Sequence, residues 1–171
     1  TITDKETTGA PYFVETAHHQ PSILPLNIQE KLKYAVNNIL NAIGINNGAS
    51  HAEFKIDQNG NIFFIEVGAR GGGVFISYDL VKLSTGYDYV KGMIEVALDE
   101  FNIPECSVQK CAGVYFLSKE VSYIRTFIEK NKNSKWVIKY HIDGRPLQEL
   151  RKSQDRSGYI IYQADHRICV S

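Results

Sequence analysis

The stretch from 48 to 73, GASHAEFKIDQNGNIFFIEVGARGGG, limits the fold more than any other part of the chain. Residues 49–57 and 62–67 read as two short strands joined by Asn59-Gly60. An Asn-Gly pair between alternating segments specifies a hairpin with a two-residue type I′ turn, because that turn needs positive φ at both central residues. With such a turn Glu53 lies directly opposite Glu66. One face then carries His51, Glu53, Lys55 and Asp57 together with Ile62, Phe64, Glu66 and Gly68. The other carries Ala52, Phe54, Ile56, Phe63, Ile65 and Val67, all apolar, and is expected to build core.

Two like charges facing each other across a sheet cost roughly 0.2–1 kcal/mol, and more when desolvated. A divalent cation with hard oxygen ligands offsets that cost, and Mg²⁺ suits a pair of carboxylates because substrate phosphates and water complete its shell. The alternative is an exposed acidic hairpin neutralised by Lys55 and solvent cations. The segment after the second strand favours the cation: Val67-Gly68-Ala69-Arg70-Gly71-Gly72-Gly73 sends an arginine and a glycine run out of the strand end. Arginine offers a fork of donors to phosphate or carboxylate, and glycines let backbone N–H groups approach an anion closely. The run is neither GxGxxG, which would need glycine in place of Arg70, nor a GxxxxGK[ST] loop.

A hydrophobic strand with a central Glu, a hairpin, and then IE-x-x-x-R-x-G-G resembles the metal site of the ATP-grasp superfamily. The resemblance is to the branch that includes carbamoyl-phosphate synthase large chains, biotin carboxylase and amino-acid ligases. It covers residues 12–100 well and the remainder loosely. It implies that Glu53 and Glu66 bind the Mg²⁺ ions bridging the phosphates of ATP, with Mn²⁺ an acceptable substitute. It also implies that Arg70 contacts the acyl phosphate or the carboxylate substrate, beside the backbone of Gly71 and Gly72. Many members carry Asn two residues after the second Glu as a further ligand; here that position is Gly68. Relatives place a histidine near the nucleotide ribose, which His18 or His19 would match, His18 being preferred.

The chain has 171 residues, enough for one domain with a real core or two small lobes. Lys+Arg and Asp+Glu are both 19, so neither a basic field for nucleic acid nor an acidic tail is present. Cys106, Cys111 and Cys169 are odd in number and lack CxxC spacing, which predicts free, mostly buried thiols in a reducing compartment rather than a zinc site. No window approaches the ~18 apolar residues of a membrane span. A soluble, cytoplasmic protein without a nucleic-acid or membrane partner is expected. Met93 is the only methionine and the chain begins at Thr1, which suggests a piece of a larger polypeptide whose upstream ATP-grasp lobes lie elsewhere. A homodimer is compatible with the sequence.

In order, residues 1–10 read as a polar loop, 12–16 (YFVET) as a strand, and His18-His19-Gln20-Pro21 as an irregular link. A helix comes next, with Asn27 as N-cap and Glu30 three residues on. Its stripe is Leu32, Ala35, Val36, Ile39, Leu40 and Ile43, and Gly44 ends it. After the hairpin, 75–83 is mixed, Ser84-Thr85-Gly86 is a break, and 87–101 is a second amphipathic helix. The loop at 102–107 is the internal boundary. Beyond it, 111–117, 136–142 and 159–163 are strand candidates and 121–130 a short helix.

The predicted fold is α+β: residues 1–104 form the C-terminal half of an ATP-grasp fold, an antiparallel sheet with packed helices, and 105–171 a small β-rich lobe. The resemblance implies part of an ATP- and Mg²⁺-dependent ligase. It would join a carboxylate to an amine, thiol or ammonia through an acyl phosphate, its partners being a nucleotide and a small carboxylate. The other reading is a non-catalytic ATP-grasp-derived module that binds a ligand or a partner surface.

Overall fold

The computed structural model describes residues 1–170. Its elements run β1 (Asp4–Thr7), β2 (Glu15–Gln20), α1 (Leu26–Ala42), β3 (His51–Ile56), β4 (Ile62–Gly68), a π-helical turn (Ile76–Leu80), α2 (Val81–Thr85), α3 (Tyr89–Ala97), β5 (Cys111–Leu117), α4 (Tyr123–Asn131), β6 (Val137–Ile142), a short 3₁₀ turn (Ser153–Asp155) and β7 (Gly158–Ala164). The architecture is α+β with antiparallel sheets, as expected.

Packing groups the chain into two units. One comprises Thr1–Ser22, Asp79–Tyr87 and the stretch from Cys106; the other comprises Ile23–Tyr78 and Asp88–Glu105. The linear division expected at 104/105 cuts across this grouping. Strands β1 and β2 share one five-stranded sheet with the late strands, in the order β1-β2-β5-β7-β6.

In the first unit the core lies on one face of that sheet, where Ala17, Tyr115, Leu117, Ile160 and Tyr162 meet Ile124 and Ile128 of α4. The α4 residues recur four apart, which aligns them on one helical face. β5 is continuously apolar because it is central and covered on both faces, and its bounds match the expected 111–117. β1, by contrast, forms where a polar loop is expected. Its sequence DKET is that of an edge strand, where charge discourages pairing with other chains.

The strand expected at 12–16 forms later, as β2, and takes both histidines into the sheet. Pairing supplies the reason: His19 pairs with Gly113, whose bare Cα leaves room, since an added Cβ would lie 2.6 Å from His19 Nδ1. The side chains of His19 and Gln20 are then hydrogen-bonded rather than solvated. His19 Nδ1 meets the Tyr162 hydroxyl at 2.9 Å and Nε2 meets Glu6 at 3.1 Å, while Gln20 donates to Thr3 and accepts from Ser84. His18, on the opposite face, packs edge-on against Phe116 at 5.4 Å and is 1% exposed.

The second unit holds α1, the β3–β4 hairpin and α3. α1 starts at Leu26 with Pro25 as N-cap and no side-chain cap bond, so the Asn27–Glu30 box does not form. Pro25 has φ −53° and ψ 143°, the extended N-cap geometry that proline's ring readily adopts. Gly44 closes the helix with φ 72°, as expected. Of the stripe only Leu32 is fully buried, joined by Ile28 one turn earlier. α3 is shorter than expected, with Asp88 as N-cap accepting from the Lys91 N–H. The cysteines are less covered than predicted, Cys106 and Cys169 exposed and Cys111 half-buried. Among the described residues no helix is long and apolar enough to cross a membrane.

Burial holds the His19 imidazole below its usual pKa of 6.5, reinforced by Arg167 against the opposing pull of Glu6 and Asp4. Burial alone would push the Glu15 carboxyl up, but a backbone hydrogen bond, Lys5, Arg156 and His18 outweigh it and hold it below 4.5. Both groups bind a proton more readily in the unfolded chain, so each contributes stability above its unfolded pKa and loses it as pH falls. Folding stability is therefore expected to decline on acidification, first below about 6.5 through His19 and again below about 4.5 through Glu15. Urea denaturation across this range, repeated on His19→Gln, should show the first decline flattened and the second retained.

Candidate functional site

The hairpin places Glu53 directly opposite Glu66, Ala52 opposite Val67 and His51 opposite Gly68. This is the expected pairing, reached by a different route. The turn is a three-residue loop, not the two-residue type I′ turn. The Gly60 N–H donates to the Asp57 carbonyl, the Asp57 N–H donates to the Asn61 carbonyl, and Gly60 alone takes a left-handed φ of 78°. Asp57 fixes this form: its carboxylate accepts the N–H groups of Asn59 and Asn61, both at 2.9 Å, and the Asn61 side chain at 2.8 Å.

A three-residue loop shifts the register by one, and a shift of one turns side chains to the other face. The shift is undone further along. Phe54 pairs with Phe64 while Glu53 pairs with Glu66, so Ile65 is an extra residue, a bulge in β4. Between the loop and the bulge the expected faces are exchanged: Phe64 stands with Phe54, ring centroids 5.7 Å apart, and Phe63 pairs with Lys55. Past the bulge the expected faces return. The expected core does not form: of the apolar set Phe63 and Ile65 are 53% and 59% exposed, and Phe64, now beside Phe54, is 49% exposed. β3 and β4 form a two-stranded sheet among the described residues, and α1 reaches it near the loop, where Ile28 closes on Gly60.

On the Glu53–Glu66 face each carboxylate has a cationic or donor neighbour. His51 Nε2 lies 3.1 Å from Glu53 Oε1, and Arg70 Nη2 lies 3.7 Å from Glu66 Oε1. Arg70 and Glu66 are both more than half exposed. The arginine stem folds across Gly68, where a Cβ would sit 3.2 Å from Arg70 Cγ, and its Nη1 donates to the Gly71 carbonyl at 3.0 Å.

The glycine run comes next, and its members differ. Gly71 lies against Ser77, Met93 and Tyr89; Gly72 is buried against His51 and Ile76; Gly73 has open space where a side chain would be. Close approach within the protein thus accounts for glycine at 71 and 72. Val74 and Phe75 then take positive φ, 46° and 71°, before the π-helical turn. For a β-branched residue that is a strained conformation, and it turns the chain sharply out of the run.

The unit therefore brings together Glu53, Glu66, Arg70, Gly71 and Gly72. His18 lies in the other unit, within its sheet. Sequence reasoning puts His51 on the carboxylate face without a role; its spacing two before Glu53 on a strand is the signal that was available. As to Mg²⁺, the donor set fits. Two carboxylates on one face supply hard oxygens, and among the described residues no group of three or more His, Cys, Asp and Glu could hold a metal alone. Such a site would depend on phosphate and water for the remaining positions, as Mg²⁺ sites usually do.

An ATP-grasp domain model matches residues 1–78. Residues 1–78 are thus similar to an ATP-grasp domain. That span holds β1 to β4, Arg70 and the glycine run. Over 90 residues the chain is 31% identical to pyruvate carboxylase 1 of Caenorhabditis elegans, which is 50% of this chain and 7% of that protein. The L-amino acid ligase of Bacillus licheniformis has a similar structure, with TM-score 0.72 and 24% identity over 91% of this chain and 40% of that one. Phosphoribosylglycinamide synthetase of Anaerococcus prevotii gives TM-score 0.74 and 19% identity over 96% of this chain and 44% of that one. These likenesses establish an ATP-grasp fold in which the chain corresponds to about 40% of a whole enzyme chain.

The packing of the run predicts a contrast. Gly72→Ala would set a Cβ 2.9 Å from His51 Nδ1 and 3.1 Å from Ile76, and overpacking of this kind costs about 1–3 kcal/mol. Gly73→Ala meets nothing within 4 Å and should stay within about 0.5 kcal/mol of the parent. Denaturant midpoints of the two variants check the difference.

Proposed function

We propose that this chain is the metal- and phosphate-holding part of an ATP-dependent ligase that joins a carboxylate to a nucleophile, most simply an amine, through an acyl phosphate. The observation that carries the proposal is the direct pairing of Glu53 with Glu66, with Arg70 3.7 Å from Glu66, inside a segment similar to an ATP-grasp domain. In this reading Glu53 and Glu66 hold Mg²⁺. When bound, the cation would offset charge on the phosphate oxygens during phosphoryl transfer.

The protein's own part is to position and to neutralise. Arg70 is exposed and its fork of donors suits an acyl phosphate or a carboxylate, so leaving Glu66 for the substrate costs it little. Gly71 and Gly72 keep the run pressed against α3 and His51, which fixes where Arg70 emerges. Holding reactants in line is the larger share of catalysis in phosphoryl transfer, since little covalent chemistry falls to the protein. The ribose role expected of His18 draws no support from its place in the sheet, and the proposal rests on the hairpin and the run. The domain division at 104/105 is kept only in the sense that the residues proposed to meet the phosphates all precede it.

In the intact protein, Glu66→Gln should lower ADP release in the presence of ATP, Mg²⁺ and a carboxylate–amine panel by roughly 10–100-fold or more. An unchanged rate would refute the ligase reading and leave a module that binds without turnover.

A further inference from the structure

His51 occupies a place that the ligase reading does not use. Alternation along β3 sets it on the same face as Glu53, and its Nε2 lies 3.1 Å from Glu53 Oε1. An ionised carboxylate only accepts hydrogen bonds, so Nε2 carries the proton and donates. Across the sheet His51 faces Gly68, which has no side chain to compete for the space. Its other nitrogen lies against buried Gly72, where a Cβ would come within 2.9 Å of Nδ1. The imidazole is thus held on one side by a hydrogen bond and on the other by the backbone of the glycine run.

The two carboxylates are consequently unequal. Glu53 is 27% exposed at its side chain and bonded to a ring that is itself 15% exposed. Glu66 is 56% exposed beside a long, exposed arginine side chain at 3.7 Å. Glu53 has one oxygen tied and its orientation set before any ligand arrives, whereas Glu66 is oriented only loosely.

We propose that His51 is a positioning residue for the metal carboxylate of Glu53: it holds that carboxylate in register with Glu66 and joins it mechanically to the glycine run. The inference rests on the reading of Glu53 and Glu66 as metal ligands. Partners that orient a ligating carboxylate typically contribute 10–100-fold to metal affinity.

The test measures free Mn²⁺ by electron paramagnetic resonance in the intact protein with ADP present, for the parent, His51→Ala and His51→Gln, each matched to the parent by near-ultraviolet circular dichroism. His51→Ala should bind Mn²⁺ about 10–100-fold more weakly, and His51→Gln, which keeps a donor of similar reach, should recover most of the loss. Parental affinity in His51→Ala, or a His51→Gln variant no better than Ala, would overturn the positioning role. A parent that binds no Mn²⁺ would overturn the metal reading itself, and the role of His51 with it.

Discussion

The arrangement of the second unit turns on two negative charges set face to face. Glu53 and Glu66 are direct partners in a two-stranded sheet, and their neighbours are arranged around that repulsion. His51 donates to one, Arg70 stands beside the other, and bare positions at Gly68 and Gly72 make room for both cationic or donor side chains. Sheet pairing alone would select against like charges in opposition. Their placement beside an arginine and a strained glycine-rich exit is the feature on which the proposed cation and anion site rests.

The pair is legible in the sequence by an uneven route, because the expected geometry is right at the glutamates and wrong around them. Asn59-Gly60 suggests a two-residue turn, but the Asp57 carboxylate captures Asn59 and Asn61 and favours a three-residue loop. That error of one residue is cancelled by the bulge at Ile65, which no local signal announces. Phe63 and Phe64 lie between the two irregularities, and their faces are therefore exchanged. The glycine run reads as a backbone open to an anion. In the fold Gly71 and Gly72 are glycines because other parts of the protein touch them, and only Gly73 is open.

The five-stranded sheet is harder to foresee. β5 and β7 follow their apolar patterns closely, since burial on a central strand writes itself into composition, and the mostly exposed edge strand β6 also forms where it is expected. β1 and β2 do not, because their side chains are satisfied by distant partners. His19 depends on Tyr162, Glu15 on Arg156, and Asp4 on Arg167, all more than 140 residues away. A polar stretch that is polar because it is hydrogen-bonded inside a sheet cannot be told locally from one that is solvated. The same reason moves His19 from an expected loop into a strand, and it joins the first 22 residues to the stretch from Cys106.

The ATP-grasp match over residues 1–78 and the facing carboxylates underlie one proposal, that this hairpin holds a metal–nucleotide complex. Calorimetric titration of the intact protein with ADP, with and without Mg²⁺, beside Glu53→Ala, tests it most directly. The account predicts ADP binding that strengthens with Mg²⁺ in the parent and loses that dependence in Glu53→Ala. ADP binding with the same Mg²⁺ dependence in both proteins would contradict it.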